Sequence, residues 1–212
     1  MSIRRLPVYL LLDCSSSMTG QPIEQVRQGL RALLDDLSTE PMAIETVYLS
    51  VITFHSTAQQ LIPLTELMLF KEPQIQASGT TALGAALHLL KTCLEKEIYK
   101  NTSSQKGDWK PLVFLMTDGL PTDVWQAAAE NLKKQKIANL IAFAAGSKPD
   151  VNNLKYITDI VLKSEDLSPG TLKAFFQWMS HSILVTGKSV HKIETELPVD
   201  LPQIPPQIQI VP

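Results

Sequence analysis

Three stretches of this chain are apolar without interruption: PVYLLL at 7–12, PLVFLM at 111–116 and NLIAFAA at 139–145. A strand with one wet face alternates apolar and polar residues, so a strand without alternation is covered on both faces. Such strands belong to mainly parallel sheets, where each crossover needs a helix. The intervening segments supply those helices. Residues 22–38 put Ile23, Val26, Leu30, Leu33, Leu34 and Leu37 on one helical face, with Pro22 in the first turn. Residues 78–97 open as Ser-Gly-Thr-Thr and continue with Leu83, Leu87, Leu90 and Leu94 on one side. Further helices are expected over 123–135, capped by Thr122 or Asp123, over 151–157, and over 168–186, with Ser168 as N-cap and Pro169 next. Residues 44–55 are rich in β-branched and aromatic types and predict a strand. Residues 58–64, with Pro63, predict a short antiparallel edge partner, and 159–163 a last short strand. The expected fold is a doubly wound α/β domain over 1–188, mainly parallel, with one antiparallel edge strand and helices on both faces.

The remaining residues, 189–212, form a proline-rich tail with five of the 14 prolines in the last fifteen positions. It reads first as a linker and second as an extended segment that pairs with a sheet edge or docks on a partner. Nineteen basic against 21 acidic residues give a net charge of -2, which excludes an electrostatic case for nucleic acid. No segment reaches the ~18 apolar residues of a membrane span, and the N-terminal apolar run is too short for a signal peptide. The expectation is a soluble, cytoplasmic protein with Cys14 and Cys93 reduced. His55, His88, His181 and His191 are scattered and read as structural or surface residues. Trp109, in a polar loop, is read as locally packed, with an exposed anchor as the alternative.

Two of the apolar runs stop on an aspartate, Asp13 and Asp118. In parallel α/β sheets ligands bind outside the carboxyl ends of strands, where strand order reverses. After Asp13, Ser15 and Ser17 occupy alternate positions, which near-extended backbone points the same way. The Ser78-Gly79-Thr80-Thr81 loop opens onto the same rim. Carboxylates and hydroxyls without His form a hard, all-oxygen set suited to Mg²⁺, Mn²⁺ or Ca²⁺. The plain alternatives are a capped turn at Asp13, N-capping by one of the threonines, and an Asp-Gly turn at Asp118.

Asp13-Cys14-Ser15-Ser16-Ser17, Gly79-Thr80-Thr81-Ala82-Leu83-Gly84 and Thr117-Asp118-Gly119 together resemble the three pieces of a von Willebrand factor A domain with its metal-ion-dependent adhesion site. The resemblance covers residues 6 to about 185. It implies a Rossmann-like fold. It also implies a divalent ion held by Asp13, Ser15, Ser17, Thr81 and Asp118, with the serines binding directly and the aspartates often through water. Aligning the Gly-Thr pair selects Thr80; aligning onto Gly84 selects Thr81, the preferred register. The implied function is a protein-binding module, not an enzyme, whose partner supplies an Asp or Glu to the metal. Residues 50–65 and 117–125 further resemble TerY-like proteins of tellurium-resistance and stress-response clusters. That likeness implies a scaffold role beside a Ser/Thr kinase and a PP2C-type phosphatase. Two alternatives stand: a metal-dependent phosphotransfer or hydrolytic enzyme, and a domain whose ion is purely structural. The three loops carry no P-loop and no phosphate clamp, which weighs against the enzyme.

Overall fold

The computed structural model describes residues 4–146, 151–192 and 201–212. In chain order it contains β1 (Leu6–Asp13), a 3₁₀ turn at Ser16–Met18, α1 (Gln21–Ser38), α2 (Pro41–Thr46), β2 (Val47–Phe54), β3 (Ala58–Glu66), a 3₁₀ turn at Leu67–Leu69, α3 (Leu83–Glu97), β4 (Leu112–Thr117), α4 (Gln126–Gln135), β5 (Asn139–Ala145), α5 (Val151–Ile157), β6 (Ile160–Ser164), α6 (Pro169–Lys192) and β7 (Gln209–Ile210). Residues 1–3, 147–150 and 193–200, including much of the predicted tail, lie outside the described residues.

Among the described residues one sheet runs β3-β2-β1-β4-β5-β6-β7. β1 pairs in parallel with β2 on one side and β4 on the other, so Leu10 faces both Val51 and Phe114. The order therefore reverses beside β1, and the carboxyl ends of β1 and β4 flank the switch point.

The unbroken apolar runs are explained by two cores. Even-numbered β1 residues Val8, Leu10 and Leu12 pack with Val26, Leu30 and Leu33 of α1 and with Phe175, Phe176 and Met179 of α6. Odd-numbered Tyr9 and Leu11 pack with Leu83, Leu87 and Leu90 of α3 and Ala129 of α4. Phe175 stacks on Phe143 with centroids 4.2 Å apart and meets Phe176 and Trp178. α1 and α6 approach closely at Gly29, where a Cβ would fall 2.1 Å from the Phe176 ring.

Several elements depart from the sequence reading. The strand predicted from residue 44 starts at Val47, because Pro41 at a first-turn position launches α2, and the Thr46 hydroxyl bonds back to the Met42 carbonyl at 2.7 Å. α4 starts at Gln126 and is not capped by Thr122 or Asp123; both serve another loop. α6 runs to Lys192, beyond the predicted end at 186. Trp109 is buried, its ring beneath the Arg4 guanidinium at 3.4 Å.

The tail shows the second of its two readings in residues 201–212. β7 pairs antiparallel with β6, giving a second antiparallel edge, and the Val211 N–H donates to the Val161 carbonyl at 2.8 Å. Trp178 Nε1 donates to the Pro202 carbonyl at 3.1 Å, and Ile208 is buried in the α1–α6 core. Proline lacks a donor but keeps its acceptor, so a proline-rich strand end can still be held through its carbonyls. No helix among the described residues is long and apolar enough to cross a membrane.

Candidate metal centre

Asp13 ends β1 fully buried. Its Oδ1 accepts the Ser15 N–H at 2.8 Å and its Oδ2 accepts the Thr117 hydroxyl at 2.5 Å. The first bond folds the chain into a turn that puts Ser15 and Ser17 side by side, their Oγ atoms 3.0 Å apart. The Ser17 hydroxyl donates to Asp118 Oδ1 at 2.8 Å, so one chain of bonds links Asp13, Ser15, Ser17 and Asp118. The intervening residues point elsewhere: Cys14 is buried in the core and Ser16 is exposed; past Ser15 the chain is a 3₁₀ turn and not the near-extended backbone expected from the sequence.

The second loop is stapled to this turn. Ser16 N–H donates to the Gly79 carbonyl at 3.0 Å, and Ser78 N–H to the Cys14 carbonyl at 2.8 Å. Gly79 has φ +71, and a Cβ there would fall 2.3 Å from Ser56 Oγ. The two threonines of this loop go different ways. Thr80 is exposed, with its N–H on Ser56 Oγ at 3.1 Å. Thr81 is buried, and its Oγ1 lies 3.4 Å from where a Cβ on Gly119 would sit. Thr81 is therefore the threonine that stands beside the Asp118 loop.

Neither threonine caps α3. Asp123 does, from the third loop: its two carboxylate oxygens accept the Gly84 and Ala85 N–H groups, each at 2.9 Å. Thr122 accepts the Thr81 N–H at 3.1 Å and returns its own N–H to the Thr81 carbonyl at 2.9 Å. Thr117, Thr122 and Asp123 thus position the site without having been assigned to it from sequence. Asp123→Ala is expected to lower stability by about 0.5–2 kcal/mol, the usual cost of a lost helix cap, in urea unfolding.

Burial pushes both site carboxyls above the ordinary Asp value. At Asp13 the bonds from Thr117 and Ser15 oppose that rise; at Asp118 the Ser17 bond opposes it and the nearby Asp13 charge adds to it. Burial, then the Asp13 charge, pushes the Cys14 thiol up to about 12, and the side chain is buried in the core. Among the described residues no three His, Cys, Asp or Glu side chains gather to hold a metal. The oxygen set here is instead two carboxylates with the hydroxyls of Ser15, Ser17 and Thr81, which fits a hard divalent cation.

Known structures share the architecture. The pilus adhesin SpaC of Lactobacillus rhamnosus GG superposes with a TM-score of 0.68 at 16% identity, covering 87% of this chain and 30% of its own. A von Willebrand factor type A protein from Catenulispora acidiphila gives 0.64 at 19%, covering 85% and 43%. Proximal thread matrix protein 1 of the mussel byssus, solved with a zinc-occupied metal-ion-dependent adhesion site, gives 0.61 at 18%, covering 85% and 48%. This chain spans less than half the length of each. A comparison with characterised protein sequences gave no match. The sequence profile of the von Willebrand factor type A domain matches residues 8–166, a span that takes in all three loops, and the chain belongs to that family.

Proposed function

We propose that this domain is a protein-binding module whose rim holds a divalent ion through Asp13, Ser15, Ser17, Thr81 and Asp118, Mg²⁺ before Mn²⁺ or Ca²⁺. A partner's aspartate or glutamate completes the ion's shell. The observation that carries this reading is the convergence of a buried carboxylate, Asp13, a half-buried one, Asp118, and neighbouring hydroxyls from three loops at the switch point of the sheet. Two carboxylates leave a divalent ion short of strong ligands, and so receptive to a third. The zinc-occupied site of the mussel protein supports a divalent ion here. Leu120 and Val124, 67% and 82% exposed, stand on the loop that follows Asp118 and offer apolar surface for a partner to cover. The domain acts as a scaffold and not as a catalyst. The likeness of residues 50–65 and 117–125 to TerY-like proteins supports a cytoplasmic role in tellurite-resistance or stress-response phosphosignalling, beside a Ser/Thr kinase and a PP2C-type phosphatase.

Titration calorimetry with Mg²⁺, Mn²⁺ and Ca²⁺, at pH 5 and pH 7.5, tests the reading. The unfolded chain releases its Asp protons at ordinary values, whereas the folded chain holds those of Asp13 and Asp118 longer. The metal-free fold therefore loses stability as pH rises through that interval, and a bound cation returns it. Saturable binding, tighter at pH 7.5 than at pH 5 and tightened further by a glutamate-bearing peptide, is the expected result. Absence of binding by any ion at pH 7.5, with and without the peptide, would overturn it.

A further inference from the structure

The rim opposite the metal centre carries a hollow. A cavity of ≈ 280 Å³ opens where residues 98–111 leave α3 and enter β4, against the C-terminal end of α4. Lys100, Lys110 and Lys136 line it together with Tyr99 and Trp109. None of these three lysines forms an ion pair among the described residues. The acidic residue in the wall, Asp108, is already satisfied. Its Oδ1 accepts Arg5 Nε at 2.8 Å, and its Oδ2 accepts Arg5 Nη2 at 2.5 Å and the Tyr99 N–H at 2.8 Å.

Helix ends do not neutralise the lysines. The C-termini of α3 and α4 face this rim, and each is equivalent to about −0.5 charge. Together they offset about one ammonium of three. The surplus is concentrated in one hollow of a chain whose net charge is -2. A concave wall of one sign focuses the field on an incoming counter-ion.

The chemistry of that counter-ion follows from the wall. A phosphate monoester carries about −1.5 to −2 charge and three acceptor oxygens. It matches the remaining charge, and lysine ammoniums bind phosphate as point charges. The volume exceeds what a bare phosphate needs, and Tyr99, 62% exposed, adds an aromatic surface for an organic stem. We propose that this cavity binds a phosphate monoester on an organic stem through Lys100, Lys110 and Lys136, at the end of the sheet remote from Asp13 and Asp118. The stem is either a nucleoside or a phosphorylated side chain of a peptide, which share this chemistry.

The test is calorimetric titration of the full chain in low salt with EDTA, so that no metal ion bridges phosphate to the opposite rim. The probes are AMP and a phosphoserine peptide, with adenosine and the unphosphorylated peptide as controls. Saturable binding of AMP assigns the nucleoside stem, and saturable binding of the phosphopeptide assigns the peptide. Lys100→Gln, Lys110→Gln and Lys136→Gln are each expected to weaken binding several-fold and the triple substitution to abolish it; Asp118→Asn leaves it unchanged. The single variants are read on their own if the triple variant fails to fold. No saturable binding of either phosphate at millimolar concentration overturns the proposal. So does equal binding of the controls, or affinity that survives the lysine substitutions.

Discussion

Asp13→Ala is expected to abolish divalent-ion binding, with affinity falling by more than about 100-fold. Loss of a partner that acts on an ion through water typically costs ~10–100-fold, and Asp13 in addition shapes the turn that carries the two serines. The effect has two origins. The variant removes one of the site's two carboxylates, and it releases the Ser15 N–H that shapes the turn bearing Ser15 and Ser17. The Thr117 hydroxyl and the Ser15 N–H would both lose a buried acceptor, at ~1–3 kcal/mol each, so circular dichroism must confirm the fold. Ser17→Ala is the companion variant. Ser17 is exposed, its loss disturbs little packing, and it is expected to weaken binding without a change in thermal midpoint. Undiminished affinity in both variants would place any ion elsewhere.

Phe175→Ala is expected to give the largest loss of stability, about 3–5 kcal/mol, the usual range for emptying a buried phenylalanine site. Phe175 is fully buried in α6 and touches three aromatic rings, Phe143 of β5 among them. Phe143 ties α6 to the sheet through this contact, and the other two rings are held on α6 itself, so the void cannot close by moving one side chain. For a domain of this size such a loss lowers the thermal midpoint by on the order of 10 °C. Calorimetric scanning checks it, and a shift near zero would mean that the rings repack freely.

The two faces of the sheet were legible from residues 7–12 alone, because an apolar run without alternation has one explanation. The grouping of Asp13, Ser15 and Ser17 was legible from their spacing, but not its cause: the backbone is not near-extended there, and a 3₁₀ turn at Ser16–Met18, held by the Ser15 N–H on Asp13, brings the hydroxyls together. What escaped was set by distance. Asp123 reads locally as a cap for the helix beside it, yet it caps α3, whose capped amides lie 38 and 39 residues earlier. Only the folded position of the third loop reveals this. Thr117 looks like the last residue of an apolar strand until its hydroxyl is seen on Asp13. α2 is a helix of only six residues holding Ile44 and Thr46, residues that favour strands, so propensity pointed the wrong way. β7 is two residues long and exposed, too short to show any alternation.

Gly29 has a consequence for motion. The Phe176 ring lies over the one position on that stretch of α1 with no side chain, so it sits as a ball sits in a detent. Sliding α6 by one turn, about 5.4 Å, would carry the ring off this seat and onto the side chains of Gln25 or Leu33, four residues to either side. The helix therefore has one favoured axial setting against the sheet rather than a continuum of them, and any rearrangement of that layer must occur as a click between seats.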